Sequence, residues 1–174
     1  MGLMRKLMMG CASDGVRTLV NTTEEHTSLQ SMDTPIKMKV GASYSISWTG
    51  AMPTTGGYIY PFKVYGGYGV VSDMCNIRLK KETSAIDIFA TLFGSTVNNI
   101  SMNLSGTATL ELRFTITGAT ENNDGFTVYT IDTVFYVNGN VTCRESGIQN
   151  GSNVGEGLRY YNNLAGTFVI KKLS

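Results

Sequence analysis

Histidine is almost missing from this 174-residue chain; His26 is the only one. It stands in TEEHTS beside Glu24 and Glu25, in a polar stretch where a solvated loop position is the expected setting. No nucleophile–histidine–carboxylate arrangement can be assembled around it. Cysteine is scarce as well. Cys11, Cys75 and Cys143 are odd in number, far apart and never in CxxC, so zinc and redox motifs find no support. Cys75 falls in a hydrophobic run and reads as a small buried hydrophobe, and free thiols are favoured over a single Cys75–Cys143 bridge.

Charge is also thin. Only 16% of residues are charged and the formal net charge is +1, with no block of one sign, so neither nucleic acid nor an anionic membrane is an expected partner. No apolar run approaches the ~20 residues of a membrane span. In MGLMRKLMMGC the stretch between Lys6 and Cys11 is shorter than a signal core of roughly 7–15 residues. Lys6 also stands where a myristoylation site wants Ser or Thr. No signal or anchor is therefore expected. GGYGV and GSNVGEG lack the Lys and the strand-to-helix setting of a phosphate loop, and Ser146-Gly147 lacks a GxSxG context. The carboxylates are scattered, with Asp132 the one candidate for a buried acid. No catalytic, cofactor-binding or metal-ligating residue is assigned, and no cofactor is expected.

What is present is sheet. Twenty Gly, nine Tyr, seven Phe and 42% hydrophobic content describe one domain with many turns, long enough to bury about 70% of its unfolded surface. Leu110, Leu112, Phe114 and Ile116 alternate with Glu111, Arg113, Thr115 and Thr117, a half-buried antiparallel strand. Gly118 to Gly125 reads as a turn. From Phe126 to Val137 both alternating sets are apolar, which fits a strand covered on both sides or one bulged near Asp132. Asn138-Gly139 then marks a type I′ hairpin. Similar alternation runs through Ile36–Val40, Tyr44–Trp48, Cys75–Lys80, Ile100–Leu104 and Thr167–Lys171. Tyr58, Tyr60, Phe62 and Val64 share a face in a strand that Pro61 confines to an edge or a bulge. In SAIDIFATLFG, Ile86, Phe89, Ala90 and Phe93 recur at helical spacing after a Ser84 cap and before Gly94, predicting a helix of about ten residues.

The expected fold is all-β, an antiparallel β-sandwich for which a jelly roll is one form, with one short helix and an extended N-terminal arm. Residues 1–34 form the arm or an added strand, and residues 35–174 the sandwich domain. One patch has binding chemistry. Trp48, Tyr58, Tyr60, Tyr65 and Tyr68 form an aromatic cluster for which three readings stay open: core filling, a subunit interface, and a platform for sugar rings. Tyr160-Tyr161 must split across two faces if extended, leaving one ring for solvent or a partner.

Short Thr-, Gly- and Asn-rich strands from Ile36 to Leu173, with few catalytic residue types and no expected signal peptide, resemble in style the small β-sandwich virion proteins of tailed bacteriophages. Those are decoration, head-fibre, collar and tail proteins. The resemblance implies a non-enzymatic structural subunit located in a virion, with other copies of itself and other virion subunits as partners. The alternative is a carbohydrate-binding module or adhesin domain meeting a host-surface glycan through the aromatic cluster.

Overall fold

A computed structural model describes residues 15–31, 36–66, 73–93, 97–150 and 159–174. They form strands β1 (Arg17–Thr22), β2 (His26–Ser31), β3 (Ser43–Ala51), β4 (Tyr58–Tyr65), β5 (Asp73–Lys81), β6 (Ile86–Thr91), β7 (Val97–Met102), β8 (Thr107–Glu121), β9 (Thr127–Val137), β10 (Asn140–Asn150), β11 (Arg159–Asn162) and β12 (Thr167–Lys172). Two six-stranded antiparallel sheets result, with orders β1-β12-β3-β8-β9-β10 and β2-β11-β4-β5-β6-β7. Three ribbons, β1–β2, β11–β12 and β3–β4, cross from one sheet to the other side by side, a jelly-roll-like winding. The expected sandwich is what the chain forms.

Period two explains the layers. On β8 the alternate residues Ala108, Leu110, Leu112, Phe114 and Ile116 are buried, and the opposing sheet supplies Phe62, Val64, Cys75, Ile77, Leu79, Ile86 and Ile88. Rings interdigitate between the sheets: Phe62 lies 6.1 Å from Phe168, and Tyr160 stacks on Phe168 at 5.1 Å. Each such side chain contributes about 1.5–3 kcal/mol of transfer free energy on burial. Trp48 is wholly buried and its indole N–H donates to the Leu164 carbonyl at 3.0 Å, so the polar edge of the ring stays satisfied. Cys75 is buried, Cys143 is half-buried, and no disulfide joins them.

Turns follow local chemistry. Asn138 and Gly139 have φ of 50° and 79°, the left-handed pair of a type I′ hairpin, and close β9 onto β10. The turn before β9 is tighter than the composition of Gly118 to Gly125 predicts, because β8 continues to Glu121. Asn122 makes it, its Oδ1 accepting from the amides of Asp124 and Phe126 at 3.0 and 2.9 Å. The irregularity in this hairpin lies on β8, between Ile116 and Gly118, while β9 keeps its alternation past Asp132. Asp132 is exposed and accepts a hydrogen bond from Ser146, so the one candidate for a buried acid is a surface group.

Two further expectations change, for residues 86–91 and for His26. Residues 86–91 are strand, and the described residues contain no helix. Ile86, Ile88 and Ala90 point inward while Phe89 lies on the opposite face, since β6 is paired on both sides and the sheet overrides a spacing compatible with either period. The N-terminal stretch supplies β1 and β2, one edge strand for each sheet. His26 consequently sits on β2, half-buried and edge-on to Tyr160 at 5.7 Å, instead of in a loop.

Candidate functional site

Pro61 determines where the tyrosines of β4 point. Without an amide hydrogen it cannot complete the ladder, and the pairing of β4 with β5 slips between Ile59 and Phe62. Tyr60 and Pro61 together span the place that Arg78 alone occupies on β5. This is a β-bulge inside a strand paired on both sides. Its consequence is a change of face: Phe62 and Val64 are buried in the core, whereas Tyr58 and Tyr60 emerge on the outer surface. The single apolar face that the spacing of 58, 60, 62 and 64 implies is thus divided in two.

On that outer surface the register sets residues in rows. Tyr161 of β11, Lys63 of β4 and Asn76 of β5 form one, Arg78 of β5 and Phe89 of β6 the next, and Tyr58, Lys80 and Asp87 a third. Rings and cations alternate. Lys63 Nζ sits 3.9 Å from the centre of the Tyr60 ring and 5.8 Å from that of Tyr65, and Tyr161 meets Tyr60 edge-to-face at 6.5 Å. The Arg78 guanidinium lies 4.3 Å from the Tyr58 centroid and 4.5 Å from that of Phe89. Tyr58 and Phe89 are themselves edge-to-face at 5.7 Å. Contacts of this kind contribute about 0.5–2 kcal/mol and hold flexible cations in fixed directions.

Arg78 Nε is shielded from solvent and meets no acceptor. Lys80 behaves differently, being paired with Glu82, whose hydrogen bond and charge raise its pKa. Among the described residues the Arg78 guanidinium thus rests on two aromatic faces, amid rings of which Tyr58 remains 51% exposed.

The sequence-selected aromatics separate accordingly. Trp48 is core and Tyr160 is 8% exposed beneath β11, whereas Tyr58, Tyr60, Tyr65 and Tyr161 share the outer face of the second sheet. Tyr68 lies outside the described residues. Lys63, Arg78 and Phe89 belong to the same face and were not selected from sequence. The polar side of the β5 alternation marks Arg78 as outward, while Phe89 is hidden by its helical spacing. Among the described residues no group of three or more His, Cys, Asp or Glu could hold a metal ion.

No protein-family profile matches this chain, and no curated protein sequence does. Among solved structures, sheep galectin-11 in complex with glycerol is similar over 86% of this chain and 99% of that one, at 13% identity and a TM-score of 0.47. The Caenorhabditis elegans galectin LEC-6 covers 91% of each chain at 11% identity and a TM-score of 0.41. A carbohydrate esterase from the Shiga toxin-encoding bacteriophage phi24B matches 78% of this chain and 69% of its own at 10% identity and a TM-score of 0.41. All three scores fall below one half, so the functional reading rests on this chain's own residues.

Proposed function

We propose that this chain is a non-enzymatic binding domain that engages a glycan on the outer face of its second sheet. The observation that carries the reading is the continuous strip of Tyr161, Tyr60, Lys63, Tyr58, Arg78 and Phe89, mounted on four adjacent strands. Pyranose rings present C–H faces to aromatic carbon and hydroxyl or acidic oxygens to N–H donors, and the strip supplies both. Because the paired rings meet at 70–71°, the surface is stepped; one ring of each pair stacks while its neighbour forms a wall. Strand mounting keeps the groups in place without an ordering cost on binding. The test is retention on a glycan array, with melting temperature measured alongside. Tyr58→Ala and Tyr60→Ala are expected to lose retention while melting within a few degrees of the parent chain, because both rings lie outside the core. Absence of retention by the parent chain, or equal retention by both variants, overturns the proposal.

A second reading is favoured by a different observation. β10 is an eleven-residue edge strand with Ile148 66% and Val141 48% exposed, and an edge of that length offers unpaired backbone groups to a neighbouring sheet. In that reading the chain is a structural subunit of a larger assembly such as a tailed-phage virion, with the Tyr- and Arg-bearing face also buried between subunits. Concentration-dependent self-association that Ile148→Lys abolishes would support it; a monomer at all concentrations with no co-purifying virion protein would remove it.

A further inference from the structure

Within the aromatic strip, the setting of Arg78 narrows the kind of glycan that fits. Arg78 of β5 stands directly across from Phe89 of β6, and its side chain also reaches Tyr58 of β4, which the register sets beside Lys80. The guanidinium is 4.3 Å from the Tyr58 centroid and 4.5 Å from that of Phe89, and the two rings meet at 71° with their centres 5.7 Å apart. It occupies the corner that the rings make. One side of it is closed, since Nε is shielded from solvent and meets no acceptor. An incoming acceptor is left with the two Nη nitrogens, the fork that matches two oxygens of one oxyanion.

The neighbouring carboxylates act elsewhere. Glu82 is ion-paired with Lys80, and Asp87, across from Lys80 on β6, adds a weaker attraction to the same ammonium. Among the described residues, the contacts of the Arg78 guanidinium are the two rings. Rings fix the direction of a cation and keep water from it without using its N–H donors. A hydrogen bond from such a donor to an ionised acceptor is about twice as strong as one to a neutral acceptor, and thinning of water strengthens it further. A hydroxyl and an oxyanion offered to this fork are therefore unequal, and the oxyanion gains more.

We propose that the strip selects acidic glycans, with Arg78 pairing a carboxylate or sulfate oxyanion on the sugar that stacks against Tyr58. This rests on the glycan reading above and narrows it to one substrate class. The Tyr58 ring is 51% exposed and its centre is 4.3 Å from the guanidinium, a separation small enough for one sugar residue to meet both. Its C–H face lies on the ring and its charged substituent reaches the fork. Arg78 is directed by Tyr58 and Phe89 before the ligand arrives, which lowers the ordering cost of binding.

The experiment measures binding of the full chain, at physiological ionic strength, to two matched pairs: oligogalacturonate with its methyl ester, and a sulfated galactan oligosaccharide with its unsulfated form. Within a pair the sugar rings are the same and only the charge differs. In at least one pair the acidic member is expected to bind about tenfold or more tighter than the neutral one, and the pair in which it does so tells carboxylate from sulfate ester. Arg78→Gln, with its folding checked by melting temperature, should bring that acid-to-neutral ratio close to one, whatever its effect on overall affinity. If that variant does not fold, Arg78→Lys takes its place; charge and stem stay, the fork is lost, and the ratio should fall severalfold. Equal binding within both pairs overturns the acid preference and leaves the glycan reading standing, as does failure to bind all four by a chain that other glycans retain. No retention of any glycan removes the underlying reading itself. A ratio unchanged in the Arg78 variant overturns Arg78 as the partner of the anion.

Discussion

Trp48 is held by what its neighbours lack. A Cβ added at Gly50 would lie 2.4 Å from the indole Cζ2, and one added at Gly166 would lie 2.6 Å from its Nε1 and 2.6 Å from the Thr49 carbonyl oxygen. The ring thus fills a slot that two glycines leave open, and its burial was legible from sequence because Ser47 and Thr49 flank it on an alternating strand. The glycines were not legible, because their role depends on Ala165 and Leu164 returning from far along the chain. Gly50→Ala and Gly166→Ala should each cost about 1–3 kcal/mol in urea unfolding, whereas Gly56→Ala, whose nearest neighbour is 3.9 Å away, should be nearly neutral. Equal stability in all three would contradict the slot. Glu111 provides the pH-dependent term. Burial works against its ionisation, but hydrogen bonds from Arg113 and Ser45 prevail and hold the carboxyl below its ordinary value of 4.5. Arg113 Nε and Ser45 Oγ reach the same oxygen at 2.8 and 2.7 Å. A depressed folded-state pKa means stability that is present in full above the ordinary value and lost as pH falls through the folded one. Glu111→Gln should therefore unfold at lower urea than the parent at neutral pH, with the gap closing in acid; a gap that widens in acid would reverse the sign.

At the scale of the element, β6 and β4 teach the same lesson from opposite directions. Ile86, Phe89, Ala90 and Phe93 satisfy helical spacing, and Ile86, Ile88 and Ala90 satisfy period two just as well; a stretch this short does not choose by itself. The choice comes from β5 and β7, which pair with it on both sides. In β4 the period was clear, yet one inserted residue at Pro61 reversed it, and bulges leave little trace in spacing beyond the proline itself. The candidate face was for this reason only half visible: the tyrosines could be selected, but their division between core and surface could not. Substitution on β6 tests the strand directly. Ile88→Asp places an unpaired charge in the core and should cost about 3 kcal/mol or more, or prevent folding. Phe89→Ser removes an outer ring from Arg78 and should leave a folded protein with weakened glycan retention. If Phe89→Ser unfolded the chain as severely as Ile88→Asp, the two residues would share a face and the helical spacing would regain its meaning.

For the whole molecule, the count of alternating runs was enough to anticipate two packed sheets, since each run has one apolar face to cover. The order of strands was not accessible. β12, near the end of the chain, lies between β1 and β3, and β11 lies between β2 and β4, so the sheets are closed by pairings that span most of the sequence. Register at those pairings depends on which apolar sets meet, such as Phe168 beside Trp48 and Ile170 beside Ile46, and no local signal encodes it. This topology gives residues 17–31 a definite role, because β1 covers one edge of β12 and β2 covers one edge of β11. Of the core-facing residues in β1, Leu19 and Val20 are only partly buried, so the main core survives their removal. What is lost is the cover. A chain beginning at residue 32 should keep its strand signal in far-UV circular dichroism, melt at a lower temperature and form larger species at high concentration, as newly bared edges of β11 and β12 pair between molecules. Melting and elution identical to the full chain would mean that β1 and β2 do not protect the sheets, and that the edges are covered in some other way.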